Sequence, residues 1–265
     1  MILKLQNTNR GLFSLLNHLL LVSTKYVNTN SEIYYLLKNT SYTTSKGVND
    51  LNSIFTQTSP GSRKVINCRP FPSLVTDIDK MNTSYEKFIK PKIAPDINTE
   101  IIKFREKYFN GCRVLCIHLR GTDRVSADVS KNFTLTKSLF DVSNNLTPQI
   151  CIYKLKKIID NILDVHQLDQ IFLATDCEYY MTSLCSIYGK NIIHYSSIIS
   201  PDVNRNLHHN DNIPKDIHMK EAIIDSILLS AGDYMLRTKS NMTIFSKIVN
   251  PRINYQSIEY VGRGT

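Results

Sequence analysis

Apolar residues follow two rhythms along the second half of the chain. Short continuous runs alternate with stretches in which apolar positions return every three or four residues. The runs read as buried strands and the spaced positions as helix faces. Strands are expected at 114–117, 170–174, 191–195 and 233–237. Helices are expected from Thr147-Pro148 to about 164, with Ile152, Leu155, Ile159 and Ile162 on the apolar face, and at 178–188, 218–231 and 240–250, where Pro251 stops the last. Strands alternating with helices of this length predict a parallel sheet. The first half is less regular. Leu12, Leu15, Leu16, Leu19 and Leu20 predict a helix from Gly11 to about Tyr26, followed by a strand at 32–37, a polar loop at 38–50, a short element at 51–56 and irregular chain at 57–75. Ile97, Ile101, Phe104 and Tyr108 mark a helix capped near Asn98, with Glu100 in its first turn. Asn110-Gly111 ends it and gives the candidate domain boundary, dividing 1–110 from 111–265.

Composition narrows the class. The chain has 265 residues, 42% of them hydrophobic, enough for one large domain or two modest ones. The net charge of +9 favours phosphorylated or polyanionic partners. It is spread along the chain without a basic run or an aromatic-basic motif, so nucleic acid is not an expected partner. Cys68, Cys112, Cys116, Cys151, Cys177 and Cys185 include no CxxC pair, and no zinc site is expected. Cys116 and Cys151 sit in apolar runs and read as small core residues. Leu12 to Val22 is too short to span a bilayer and is interrupted by Asn17 and His18. With no stretch reading as a signal peptide, a soluble, cytoplasmic protein is the expectation. Sequons begin at Asn39, Asn82, Asn132, Asn145 and Asn241, in a chain rich in Asn.

The chemistry concentrates where the 114–117 run breaks into His118-Leu119-Arg120-Gly121-Thr122-Asp123-Arg124. Ligands of open α/β sheets bind beyond the carboxyl ends of strands. Two arginines, a histidine and a hydroxyl leaving one strand end suit an anion, which guanidinium holds through a two-pronged charged hydrogen bond. A solvated basic turn is the alternative. Asp225 lies in Ala222 to Leu229, a helix apolar on nearly every face. A carboxylate there needs hydrogen-bond donors. These are either a structural partner, such as a backbone N–H or Lys220, or the paired N–H groups of a ligand such as guanine. His208-His209, in the polar 200–217 loop, reads as solvated surface.

Three stretches, in order, resemble the GDP-fucose-dependent fucosyltransferase superfamily that includes the α1,6- and peptide-O-fucosyltransferases. They are His118 to Arg124, Ile171 to Asp176, and Asp225 to Ser230 continued by Asp233 and Ser240-Asn241. Gly11 to Ser14, before the leucine-rich helix, stands where the family has its N-terminal glycine loop. The resemblance implies an α/β, GT-B-like fold of two Rossmann-like halves with parallel sheets, here with a reduced N-terminal half. That half would be the acceptor side, and 111–265 would bind the nucleotide sugar. It also implies inverting transfer without a metal or cofactor, from a GDP-fucose donor to a glycan or glycoprotein acceptor. By position, Arg120 would hold the β-phosphate, and His118, Asp176, Asp225, Ser240 and Asn241 would line the donor, Asp225 reading the guanine. Gly11, Asp123 and Arg124 are further candidates. Asp128 stands where the α1,6 branch has its catalytic glutamate; a surface aspartate is the alternative. Another nucleotide sugar on the same fold, or a binding module without catalysis, would give a similar pattern.

Overall fold

The computed structural model describes residues 1–8, 11–40, 50–57, 64–68, 77–121, 125–126, 133–137, 147–148, 150–200 and 214–260. The first part contains β1 (Ile2–Thr8), α1 (Leu12–Ser23), β2 (Tyr34–Thr40), β3 (Val65–Cys68), α2 (Ile78–Ser84) and α3 (Pro95–Tyr108). The second contains β4 (Val114–Leu119), β5 (Val125–Ser126), β6 (Phe133–Thr136), β7 (Thr147–Pro148), α4 (Ile152–His166), β8 (Gln170–Thr175), α5 (Glu178–Tyr188), β9 (Ile192–Ile193), α6 (Lys215–Ser230), β10 (Tyr234–Thr238), α7 (Asn241–Val249) and β11 (Asn254–Tyr260). Strands order as β2-β1-β3 in a parallel sheet and as β6-β11-β10-β4-β8-β9 in a larger one, and β5 pairs with β7 in a third. The larger sheet is parallel except where the edge strand β6 runs antiparallel to β11. The predicted parallel α/β architecture is therefore present.

Alternation along β4 divides the core. Leu115, Ile117 and Leu119 pack with α4 and α5 on one face of the larger sheet. Val114 and Cys116 face the other way, into a cluster that includes α6 and α7 and continues through α3, α2 and α1 to Leu3 and Leu5 of the smaller sheet. Directed contacts cross that continuous core. The Phe13 and Phe245 rings are 5.4 Å apart. Asn82 donates from Nδ2 to the carbonyls of Ile248 and Val249 at 2.8 and 3.3 Å, so its amide ties α2 to the end of α7. Lys220 pairs with Asp96 at 2.7 Å.

Several boundaries differ from expectation. Thr147-Pro148 does not start a helix: it pairs with β5, and α4 begins at Ile152. Proline, lacking an N–H, is tolerated in such a short edge strand. Helix α3 begins at Pro95, with Asp96 in its first turn. The fixed φ of proline suits that position, and Asn98, inside the helix, donates back to the Ile93 carbonyl at 3.1 Å. Helix α6 starts at Lys215, inside the stretch expected to be loop. Cys116 is buried as expected, but Cys151 is only half-buried, at the start of α4. The six cysteines are unpaired. Strands β1, β3, β5, β6 and β11 were not foreseen. The His208-His209 pair lies outside the described residues.

Candidate functional site

The end of β4 is held from both sides by neighbouring strands. On one side, Thr238 of β10 accepts from the Arg120 backbone N–H at 2.9 Å and donates to the His118 carbonyl at 3.3 Å. On the other, Thr175 of β8 donates to the Leu119 carbonyl at 2.7 Å, and Asp176 accepts from the Gly121 N–H at 2.9 Å. The Asp176 carbonyl in turn accepts from Ser200 at 2.9 Å. The backbone that carries His118 and Arg120 is thus fixed by hydrogen bonds independent of their side chains. Asp176 belongs to this frame.

Gly121 has no room for a side chain. An added Cβ would stand 2.4 Å from Cys177 Cβ, 2.8 Å from its Sγ and 2.9 Å from the Tyr180 ring. Tyr180 cannot swing away freely, since its hydroxyl accepts from the Ile150 N–H at 2.9 Å. Gly121→Ala should therefore cost about 1–3 kcal/mol, the usual range for overpacking, and lower the melting temperature by about 2–4 °C per kcal/mol. An unchanged melting temperature would show that the α5 side of the loop yields.

His118 is 6% exposed, and its Nδ1 lies 3.4 Å from the Thr238 hydroxyl. Burial, reinforced by the Arg120 and Arg237 charges, pushes its pKa down to about 3. It is a neutral imidazole at physiological pH, with one donor and one acceptor nitrogen.

Asp225 lies on α6 at 4% exposure. Ser196 donates to Oδ2 at 2.5 Å, while Oδ1 is buried without a hydrogen-bond partner among the described residues. Burial raises its pKa to about 7, against the lowering effect of Ser196. One turn earlier, Glu221 accepts from the Ser197 N–H at 3.2 Å, the Ser197 hydroxyl at 2.7 Å and the Ile198 N–H at 3.2 Å, fixing the segment that presents Ser196. Lys220, the partner considered for Asp225, is bonded to Asp96 instead. Cys116 Sγ donates to the Leu228 carbonyl, which aligns α6 with β4. Because a helix entering a parallel strand runs back along the sheet, Asp225, three residues before Leu228 and so about 4.5 Å nearer the helix N-terminus, lies toward the carboxyl end of β4, where His118 sits.

Ser240 caps α7, its hydroxyl accepting from the Met242 N–H at 3.2 Å. Asn241 opens the helix, and its carbonyl accepts from the Asn17 amide of α1 at 2.9 Å. Gly11 is the N-cap of α1, with its carbonyl accepting from Leu15. The first turns of both helices carry the partial positive charge of unsatisfied N–H groups. Asp123, Arg124 and Asp128 lie outside the described residues. Among the described residues, no group of three or more His, Cys, Asp and Glu is placed to hold a metal ion, and no helix is long and apolar enough to cross a membrane. Thr175 lay within the second family-like stretch, but sequence reasoning missed Thr238, Ser196, Glu221 and Arg237. The charge of Arg237, near the end of its strand, was the one available signal.

The fold is that of an α/β protein with predominantly parallel sheets, in which His118, Arg120 and Gly121 gather at the carboxyl end of the larger one. No protein-family model matches the chain, and no curated protein matches its sequence. Solved structures do match its fold. The α1,6-fucosyltransferase NodZ soaked with GDP-fucose aligns with a TM-score of 0.61 at 12% identity, covering 98% of this chain and 99% of that one. NodZ co-crystallised with GDP gives 0.60 at 12% identity over 95% and 93%, and fucosyltransferase NodZ from Bradyrhizobium gives 0.59 at 12% identity over 95% and 94%. The chain therefore shares the fold of known GDP-fucose fucosyltransferase structures along nearly its whole length.

Proposed function

We propose that the protein is an inverting glycosyltransferase that moves fucose from GDP-fucose to a hydroxyl of a glycan or glycoprotein. One observation carries this reading: Arg120 and the half-paired carboxylate of Asp225 belong to the same sheet end, in a chain with the NodZ fold. In the proposed GT-B arrangement, residues 111–265 bind the donor and residues 1–110 form the acceptor side. Arg120 binds the β-phosphate and Asp225 accepts the guanine N1–H and amino protons. His118 offers a neutral hydrogen-bonding edge, and Ser240 and Asn241 present the first turn of α7 to the phosphates, with Gly11, Asp123 and Arg124 as further candidate donor contacts. Asp176 supports the site through Gly121.

The acceptor oxygen forms its bond to the anomeric carbon as the bond to the β-phosphate oxygen breaks on the opposite face. The electron pair leaves with GDP, and the acceptor proton passes to a carboxylate. Negative charge growing on the diphosphate is stabilised by Arg120 and the α7 N-terminus. Asp128 is the proposed base. Even the weak basicity of an ordinary aspartate, with a pKa of about 3.9, suffices when the proton moves late, after the attacking hydroxyl has become acidic. Asp128→Asn should leave GDP affinity intact and lower transfer by about two to four orders of magnitude. Activity within a few-fold of the parent would place the base elsewhere. The reading as a whole is tested by offering GDP- and UDP-sugars singly with mixed glycan acceptors. Consumption of GDP-fucose is expected, and consumption of a different nucleotide sugar alone would overturn the donor assignment.

A further inference from the structure

Arg237 is the largest fully buried side chain among the described residues, at 0% exposure. It sits near the carboxyl end of β10, in register with His118 on β4 and Ser257 on β11. Its neighbour Leu236 belongs to the α4–α5 face of the sheet. Strand alternation therefore aims Arg237 at the opposite face, which α6 and α7 cover. Three residues further on, Ser240 caps α7. Nε, Nη1 and Nη2 all lack a hydrogen-bond partner among the described residues. The acid on that side, Glu259, pairs with Lys239 at 3.3 Å and accepts from the Thr136 hydroxyl at 2.5 Å. Burial lowers the guanidinium pKa only to about 10, so the group is charged at neutral pH. A buried cation without a hydrogen-bonded partner is costly; Glu259 and Tyr255 favour its charge only through space, and it lies beside the strand end where Arg120 emerges.

We propose that Arg237 is the buried member of a two-arginine anion site. Together with Arg120 and the first turn of α7, it selects a diphosphate group at the carboxyl ends of β4 and β10. It acts as a positioning residue, through the low-dielectric interior, where a charge is felt further than in water. The inference rests on the donor reading only for where the diphosphate sits. In that division of labour, the two arginines select the charge of the ligand and Asp225 selects its base.

The test is calorimetric binding of inorganic pyrophosphate, GDP and guanosine to the full chain, with the ligand-free melting temperature measured alongside. Arg237→Met should weaken pyrophosphate and GDP at least tenfold, leave guanosine within twofold, and leave the melting temperature equal or higher. Pyrophosphate affinity within twofold of the parent overturns the proposal. So does a fall in melting temperature matched by Glu259→Gln, which would make Arg237 and Glu259 a structural pair. If Arg237→Met does not fold, Arg237→Lys decides. A several-fold loss of pyrophosphate affinity at a native melting temperature supports the proposal, and an unchanged affinity overturns it. Arg237-dependent pyrophosphate binding without preference for GDP over ADP would uphold this inference and refute guanine reading. GDP preference without Arg237 dependence would do the reverse.

Discussion

Arg120→Lys is expected to lower fucose transfer by at least about two orders of magnitude, equivalent to about 2.7 kcal/mol of transition-state stabilisation, while the fold stays intact. The backbone N–H of Arg120 is held by Thr238, and the flanking carbonyls and Gly121 N–H are held by Thr238, Thr175 and Asp176. A lysine at this position therefore inherits the same backbone. It keeps one positive charge but loses the planar fork that meets two phosphate oxygens at once. The loss should fall on turnover more than on GDP affinity, because charge on the leaving diphosphate grows toward the transition state. The comparison to make is single-turnover transfer by parent and variant at matched donor saturation. Near-normal turnover would remove Arg120 from the phosphate site.

Asp225→Asn should weaken GDP about a hundredfold or more. Hydrogen bonds to a charged acceptor are worth about 1.5–3 kcal/mol each, and an amide in one orientation cannot accept two parallel N–H donors. The ionisation of Asp225 adds a pH signature. Its folded pKa, raised to about 7 by burial, lies above its ordinary value of 3.8. Without ligand, the stability linked to this group is fully present below about pH 4 and is lost as pH rises through about 7. The melting temperature of the parent should therefore fall relative to that of the Asn variant over that window. Paired N–H donors favour the carboxylate, so GDP affinity of the parent should rise by up to about tenfold per pH unit toward 7 and then level off. The variant should lack this component. Weak GDP binding at an unchanged or raised ligand-free melting temperature supports guanine recognition. A collapsed melting temperature with normal affinity would make Asp225 a structural partner of Ser196.

The C-terminal half was legible because its central strands are covered on both faces and read as unbroken apolar runs. Strands β1, β3, β6 and β11 escaped for the opposite reason. In β1, Lys4 and Gln6 alternate with Leu3 and Leu5, and in β11 Gln256, Ser257 and Glu259 interrupt the apolar positions. His118, Arg120 and Gly121 were visible as an abrupt change from apolar to polar chemistry, and Asp225 as the one acid in the apolar stretch Ala222 to Leu229. What fixes them was not visible. Thr238 reaches Arg120 across 118 positions, Asp176 reaches Gly121 across 55, and Ser196 reaches Asp225 across 29. Local patterning carries no record of such contacts. Arg237 was overlooked because it stands at the polar end of its strand, before Thr238 and Lys239, where an exposed arginine is the ordinary reading.

Guanine-nucleotide recognition is the central claim, and its most direct test is the melting temperature of the full chain with GDP, UDP or ADP at equal concentration. A ligand at about one hundred times its dissociation constant adds about 2.7 kcal/mol to a protein that binds it only when folded. For a chain of this size that is a rise of about 5–10 °C. GDP should produce such a rise while UDP and ADP leave the transition within about 1 °C of the ligand-free protein. Equal shifts with all three nucleotides, or none with GDP at saturating concentration, would contradict the account.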